Sequence, residues 1–266
     1  MELRPDIAWP TVPAPEDKAP PSAESRARLV TGQPFLPDIV LIPAGKFLMG
    51  SDPRKDGCAR DDEQPQHVLF LPEYHIARTP VTNDQYLAFT LATGYAPPAP
   101  WEDGKPSPGV ERHPAVLVSW HDAMAYCRWL AKITGKPYAL PSEAEWEKGA
   151  RGTDGRIFPW GDQWDPARCG TPAVGTTPTG ACPQGASPYG LQDVAGNVWE
   201  WTRSLGTKYP YIADDGREGL EAKAPRVVRG GSFNNPWAYL RCASRLCYDP
   251  SVRDRDIGFR IVISPP

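Results

Sequence analysis

Apolar and aromatic residues recur densely from Ile39 to Val262, whereas the chain before residue 38 has no periodic apolar pattern. Residues 1–37 contain eight prolines together with much alanine, serine and charge. A segment of this composition buries too little apolar surface to offset its ordering entropy. We therefore predict a Pro-rich tail or linker over residues 1–37 and one folded domain over residues 38–266. The linker would serve for fusion to, or association with, another domain.

The apolar pattern predicts that the folded part opens with two strands and a helix. Residues 39–51, IVLIPAGKFLMGS, place β-branched and aromatic residues on both sides of a Pro-Ala-Gly turn, which predicts strand, turn and strand. Thr82 and Gln85 form a capping box, and Gly94 is suited to end a helix. These signals predict a first helix over about residues 83–93.

Two more capping boxes predict two more helices. Ser119 with Asp122 begins a run of apolar residues that share one helical face. Ser142 with Glu145 begins a shorter helix that ends near Ala150, with acidic residues in its first turn, where the helix dipole favours them.

The remainder is predicted to be poor in regular structure. Residues 152–225 are mostly Gly, Pro, Thr and Asp with scattered Trp, which predicts irregular loops. The whole chain has 33 prolines and ten tryptophans in 266 residues, and its strong helix formers are not enriched. This composition excludes bundles, solenoids and coiled coils, and it favours a loop-rich mixed fold.

Charge and cysteine usage exclude several partners. The 29 Lys and Arg residues are outnumbered by 32 Asp and Glu, so we expect no binding to nucleic-acid phosphates. No apolar run approaches the roughly 18 residues of a membrane span, so we expect no membrane insertion. The N-terminus lacks the positive start and apolar run of an export signal, so we expect a cytoplasmic protein. The six cysteines include no C-x2-C pair, which argues against structural zinc.

Eight phrases occur in the order typical of one protein family. They are IPAGKFLMGS (42–51), ARTPVTNDQY (77–86), HPAVLVSWHDAMAYCRWL (113–130), LPSEAEWEKGARG (140–152), FPWGD (158–162), GLQDVAGNVWEWT (190–202), RVVRGGSF (226–233) and IGFRIV (257–262). Together they resemble the formylglycine-generating enzyme family, also called the sulfatase-modifying-factor domain. The resemblance implies an α+β fold of the C-type lectin type, with a small twisted antiparallel sheet, two main helices and long loops.

One phrase indicates a calcium site. Asp193 and Glu200 lie seven residues apart across Gly196, which lets the backbone turn so that carboxylates and carbonyls can converge on a hard cation. The family resemblance implies a structural calcium ion held by Asp193, Gly196, Val198 and Glu200. The alternative is that Glu200 pairs with an arginine and Asp193 caps a turn.

The catalytic signature of the family is missing. In its enzymes, two thiolates just after the GGS-aromatic phrase hold Cu(I) while oxygen oxidises a substrate cysteine. The matching positions here are Asn235 and Leu240, and neither side chain can replace a thiolate. Cys242 and Cys247 share the same five-residue offset, but counting back from IGFR places them beyond the loop. We therefore expect no copper, no catalytic residues, and free thiols at both cysteines.

The C-terminal part also resembles the variable region of proteins that retroelements diversify on this same fold. GGSF, two asparagines, LRCASR, a proline, an arginine and IGFR occur between residues 226 and 262 at matching intervals. An exposed loop on a packed core tolerates substitution, and Tyr, Asp and Arg make low-entropy contacts, as in antibody paratopes. We predict that residues 234–256 bind a protein or another macromolecule. The candidate contact residues are Asn235, Trp237, Tyr239, Leu246, Tyr248, Asp249, Arg253, Arg255 and Asp256.

Several functions stay open at this point. The leading hypothesis is a non-catalytic ligand-binding module, stabilised by calcium, with a variable recognition surface over residues 234–256. The main alternative is a copper-dependent formylglycine-generating oxidase, or a related enzyme that uses other residues. A third is a relative that lost catalysis without gaining a ligand, and a fourth is a structural domain of a larger assembly.

Overall fold

The computed structural model describes residues 35–169 and 174–264. Its helices are α1 (Asn83–Thr93), α2 (Trp120–Thr134) and α3 (Glu143–Arg151). Its strands are β1 (Ile39–Ile42), β2 (Gly45–Met49), β3 (His67–Leu71), β4 (Tyr74–Ala77), β5 (Tyr138–Ala139), β6 (Trp199–Leu205), β7 (Arg226–Arg229), β8 (Arg245–Tyr248), β9 (Ile257–Phe259) and β10 (Val262–Ile263).

All three helices begin at their predicted capping boxes. The hydroxyls of Thr82, Ser119 and Ser142 each accept a hydrogen bond from the backbone N–H three residues later. The residue at that third position reaches back to the cap in each case, so two backbone N–H groups are satisfied at every helix start. The first two helices end at glycines in the left-handed conformation, Gly94 and Gly135.

The strands form two four-stranded sheets and a hairpin. The first sheet has the order β1-β4-β10-β5 and is antiparallel throughout. The second has the order β8-β7-β6-β9, in which β9 runs parallel to β6. The strands β2 and β3 form the hairpin. These small sheets with three helices confirm the predicted α+β class, although the single predicted sheet is divided.

One predicted loop region contains a central strand. Within residues 152–225, which the composition predicts as irregular, β6 (Trp199–Leu205) pairs with β7 on one side and β9 on the other. Trp199 and Trp201 are buried in this strand, so both rings pack in the core. The Trp201 indole N–H donates to Val118 O at 3.0 Å, so its polar group is also satisfied.

The start of the domain lies within the predicted tail. Phe35 is buried, and its ring packs against Trp129 on α2 with centroids 5.7 Å apart. Packing therefore reaches at least to residue 35, and the rest of the tail lies outside the described residues.

Buried arginines are paired with glutamates where the sheets and helices meet. Glu147 on α3 accepts hydrogen bonds from Arg229 on β7, from Arg151 at 2.8 Å and from Gly50 N at 2.7 Å. Arg241 forms two hydrogen bonds to the Glu63 carboxylate, at 2.7 and 2.8 Å. Removing one partner would leave an uncompensated buried charge, so each pair fixes the position of the segment that carries it.

Candidate functional site

The loop after β7 contains the two positions where the family's enzymes carry thiolates. It turns through Gly230 and Gly231, whose φ angles of 100° and 70° favour glycine. A Cβ on Gly231 would lie 2.7 Å from Tyr239 O and closer still to the Leu240 side chain. The double glycine thus lets the chain on either side of the loop pack closely.

Asn235 is held by the loop itself. Its side-chain oxygen accepts a hydrogen bond from Ser232 N at 3.0 Å and lies 2.7 Å from the Ser232 hydroxyl. That hydroxyl also lies 2.7 Å from Asp256 Oδ2, and its single proton can be donated to either oxygen. Ser232 therefore connects the two candidate contact residues Asn235 and Asp256.

Leu240 fills the second thiolate position with packed hydrocarbon. Its side chain is fully buried and contacts Cys169 and Ala195, with Trp160 and Trp164 alongside. Neither Asn235 nor Leu240 offers a sulfur ligand, and the surroundings of Leu240 are apolar.

The two nearby cysteines have different surroundings. Cys242 is fully buried in the core cluster around Trp146, and burial raises the pKa of its thiol to about 12. A thiol in that state is a poor metal ligand, because the thiolate is the binding form. Cys247 is exposed on β8, and both cysteines are free, as the sequence predicts. In the described ranges, no three His, Cys, Asp or Glu side chains are grouped to hold a metal ion.

Asp193 has features that suit a calcium ligand. It adopts a φ of 58°, is partly buried, and accepts a hydrogen bond from Gly180 N at 2.8 Å. Burial raises the pKa of this carboxyl to about 6, although the bond from Gly180 opposes the shift. A partly buried carboxylate with no salt bridge among the described residues would gain from a nearby cation.

Glu200 is bonded to an arginine in the described structure. Arg260 donates to both of its oxygens, with Nη2 2.7 Å from Oε1, and the Trp146 indole N–H donates to Oε2 at 2.7 Å. A calcium ion would have to compete with this guanidinium for the Glu200 carboxylate. The pairing of Glu200 with an arginine is the alternative that the sequence left open. Calcium itself stays a prediction, with Asp193, Gly196 and Val198 as the remaining predicted ligands.

Several candidate contact residues come together on one surface. Tyr239, Leu246 and Tyr248 are half-buried and pack against the edge of the larger core cluster. Burial raises the pKa of Tyr248, and the charges of Asp256 and Asp254 add to the shift, so these groups lie near one another.

Charged groups frame these aromatic rings. The Arg255 guanidinium lies 5.9 Å from the Phe233 ring centroid, and Arg60 lies 5.6 Å from the Tyr239 ring. We call this group of residues the recognition surface; it consists of Asn235, Tyr239, Tyr248, Arg255 and Asp256.

Arg253 has a different role from its neighbours. It donates to both oxygens of Asp122 on α2, at 2.8 and 3.0 Å, and the Tyr95 hydroxyl donates to the same carboxylate. The same carboxylate also accepts a hydrogen bond from Ser119 N at the start of α2. The Arg253 guanidinium therefore stabilises the fold through Asp122 rather than serving mainly as a ligand contact. The sequence offers no signal for this pair, because 131 residues separate its partners.

Trp237 belongs to an aromatic cluster that the sequence did not predict. Its side chain is 44% exposed, and its ring stacks on Trp164 with centroids 6.1 Å apart. Phe158 and Trp160 complete the cluster with stacked rings 5.4 Å apart. Phe158, Trp160 and Trp164 all come from the phrase FPWGDQW. The three aromatic residues within seven positions were the sequence signal that could have predicted the cluster.

Asp249 lies apart, beside the first turn of α2. Pro250 O accepts a hydrogen bond from Trp120 N at 3.1 Å, which places this turn of chain against the helix. Asp249 is exposed and accepts hydrogen bonds from Ser251, which lower the pKa of its carboxyl.

Comparisons with known proteins establish the family. The family described as "Sulfatase-modifying factor enzyme 1-like domain" matches residues 26–265, and the chain belongs to it. The chain is 33% identical over 308 aligned positions to a formylglycine-generating enzyme of Streptomyces coelicolor, an alignment that covers 93% of this chain and 94% of that protein.

Solved structures confirm the fold. PvdO from Pseudomonas aeruginosa superposes with a TM-score of 0.74 at 31% identity, covering 87% of this chain and 96% of that one. Treponema denticola variable protein 1 superposes with a TM-score of 0.67 at 24% identity, covering 85% and 95%, which shows a shared fold alone. The fold is therefore C-type lectin-like, as the sequence phrases predicted. Within the described residues, no helix has the length and apolarity to cross a bilayer.

Proposed function

We propose that this member of the family is a non-catalytic binding module whose ligand, a protein or another macromolecule, contacts the recognition surface. One observation carries the proposal. The positions that hold copper in the family's enzymes are occupied by an asparagine bonded within its own loop and by a fully buried leucine. Soft thiolate ligands are needed for Cu(I), and this loop has none.

The shape and chemistry of the recognition surface support binding. Two half-buried tyrosines are held by the core below them, so little side-chain entropy would be lost when a ligand covers them. Acidic and basic groups lie beside the rings, which provides directional contacts around an apolar centre.

The likeness of fold to a variable protein supports a further proposal about the segment's origin. We propose that residues 234–256 differ among copies of the gene. A reverse-transcriptase gene beside a near-copy of the codons for residues 226–262 would support this, and an isolated gene would oppose it. We also propose a cytoplasmic location, which cell fractionation would test.

Oxidase activity is the alternative function. It is favoured by the match to a formylglycine-generating enzyme over nearly the full length of both chains. In that case other residues would have to replace the missing thiolates, and copper-dependent oxygen uptake with a cysteine-containing peptide would reveal it.

Calcium binding is proposed separately, with a revised set of ligands. Asp193 and the backbone carbonyls of Gly196 and Val198 would hold the ion, while Glu200 stays with Arg260. A bound calcium ion would brace the loop and would supply no redox chemistry.

Panning a phage-displayed random peptide library on the immobilised chain tests the binding proposal. We expect enriched peptides whose affinity falls at least tenfold, about 1.4 kcal/mol, in the triple variant Tyr239→Ala, Tyr248→Ala, Arg255→Ala. Phe70→Ala is the matched control, because Phe70 is an aromatic residue 58% exposed on the β2–β3 hairpin. Equal affinity for wild type and triple variant would contradict the proposal.

A further inference from the structure

A groove lies between the exposed face of α2 and the chain at residues 219–223. Its cavity volume is about 500 Å³, within the size range of ligand sites. Trp120, Met124 and Leu220 supply its apolar lining, and Asp249 and Pro250 close one end. Most of its wall therefore comes from outside the recognition surface.

A buried arginine fixes the loop wall of this groove. Arg226 on β7 is fully buried and, among the residues described, forms no salt bridge. Its Nη2 donates to the carbonyls of Gly219, Leu220 and Ala222 at 2.8, 3.0 and 3.1 Å. A buried guanidinium without a carboxylate partner is costly unless other groups accept its hydrogen bonds. These three carbonyls accept them, so Arg226 holds this part of the loop in place.

The same arginine also contacts Trp120, which forms the floor of the groove. Its guanidinium lies 4.3 Å from the ring centroid of Trp120, whose indole N–H donates to Thr202 O at 3.0 Å. Wall and floor are thereby held at a set spacing before any ligand arrives. A preformed shape of this kind lowers the entropy lost on binding.

The rim of the groove carries both signs of charge. His121 and Arg128 on α2 and Lys223 on the loop are basic, whereas Glu221 and Asp249 are acidic. All five side chains are exposed, and none forms a salt bridge within the described ranges. Besides His121, the rim thus carries two positive and two negative charges, so the groove suits a ligand with charges of both signs rather than a polyanion.

The charges are separated along the helix. Asp249 lies at the first turn of α2, next to His121, because Pro250 O accepts from Trp120 N. Arg128 lies seven residues further along the helix, a rise of about 10 Å. An extended peptide covers that distance with about three residues.

We propose that this groove binds an extended peptide segment of a partner protein, with a basic residue beside Asp249, an apolar side chain over Leu220 and Met124, and an acidic residue beside Arg128. The proposal goes beyond the recognition surface and does not depend on it, since α2 and residues 219–223 form most of the groove.

The test is an NMR titration of the ¹⁵N-labelled chain with the blocked tripeptide acetyl-Lys-Leu-Glu-amide. We expect saturable shifts of the amides of residues 120–128 and 219–223. The reversed tripeptide acetyl-Glu-Leu-Lys-amide should bind at least fivefold more weakly, because its charges oppose those of the groove.

Two matched variants decide whether the groove is the site. Leu220→Glu should abolish the shifts, whereas Ile133→Glu, on the same helix beyond the groove, should leave them unchanged. Leu220 and Ile133 are 44% and 47% exposed, so both variants should fold.

Three results would overturn the proposal. They are no saturable shifts, equal shifts in the Leu220→Glu variant, and equally tight binding of acetyl-leucine-amide. The last would show that a small apolar molecule, rather than a dipolar peptide, is the fitting ligand.

Discussion

Within residues 226–262, the side chains that point inward and those that point outward are held in opposite ways. Arg229, Arg241 and Arg260 are buried and bonded to glutamates from distant parts of the chain. Tyr239 and Arg255 are partly or fully exposed and contact mainly neighbouring rings. The comparison shows how an irregular segment keeps its shape: buried ion pairs fix its path, so its outer residues can change without altering the fold.

The largest effect is expected on the inward side. Glu147→Gln removes the charge that Arg229 and Arg151 share, and we expect the free energy of unfolding to fall by about 3–5 kcal/mol. For a chain of this size the melting temperature should fall by roughly 10 °C, measured by calorimetry. Arg54→Ala, which breaks an exposed pair with Asp52, should leave it unchanged. A small effect of Glu147→Gln would mean that the ion pairs do not fix the segment.

Arg253 combines both arrangements, because it points outward yet binds a buried carboxylate. Arg253→Ala should lower the free energy of unfolding by about 1–3 kcal/mol at pH 7, since Asp122 loses its charged partner. Burial acts to raise the pKa of Asp122, but bonds from Arg253 and Ser119 outweigh it and lower the pKa below 3.8.

The pH dependence of this difference has a definite sign. A carboxyl with a lowered pKa stabilises the fold above its unfolded pKa, and that stabilisation is lost as the pH falls through the folded value. Wild type and Arg253→Ala should therefore differ fully at pH 7 and converge as the pH falls below about 3.8. Urea melts at several pH values would measure this, and a difference independent of pH would exclude the ion pair as its cause.

Calcium should have a smaller effect than Glu147→Gln, near the lower end of the range expected for Arg253→Ala. If Asp193 and two carbonyls bind with a Kd near 1 mM, 10 mM calcium would stabilise the chain by about 1.4 kcal/mol. The melting temperature should rise by a few degrees over that in a chelator, and Asp193→Asn should abolish the rise. No rise in the melting temperature of the wild type would contradict calcium binding at Asp193.

The smallest effect is expected on the outward side. Arg255→Ala should change the free energy of unfolding by no more than about 0.5 kcal/mol, because its side chain is exposed and its guanidinium lies over the face of Phe233. Chemical denaturation would detect a larger loss, which would show that the recognition surface is part of the scaffold.

Local sequence signals predicted the helices, and the family resemblance predicted the fold class. The capping boxes at Thr82, Ser119 and Ser142 depend on residues three apart, so they can be found without tertiary information. The strand β6 was missed because the surrounding residues 152–225 are rich in Gly, Pro, Thr and Asp, and its pairing with β7 and β9 is long-range.

The candidate site was predicted less completely, because its contacts are long-range. The absence of thiols at Asn235 and Leu240 followed from the phrase positions alone. The commitment of Glu200 to Arg260 and of Arg253 to Asp122 did not, since 60 and 131 residues separate the partners. The groove on α2 was also hidden, because Arg226 joins parts of the chain that carry no common motif.

A Cu(I) titration under anaerobic conditions, with a chromophoric chelator as competitor, tests whether the loop after β7 lacks the copper site of the family's enzymes. The wild-type chain should take up no stoichiometric copper, whereas the double variant Asn235→Cys, Leu240→Cys should bind one equivalent, because it restores both sulfurs to an otherwise intact loop. Tight binding of one Cu(I) by the wild type, lost in Cys242→Ser or Cys247→Ser, would contradict this prediction and favour the copper-dependent alternative.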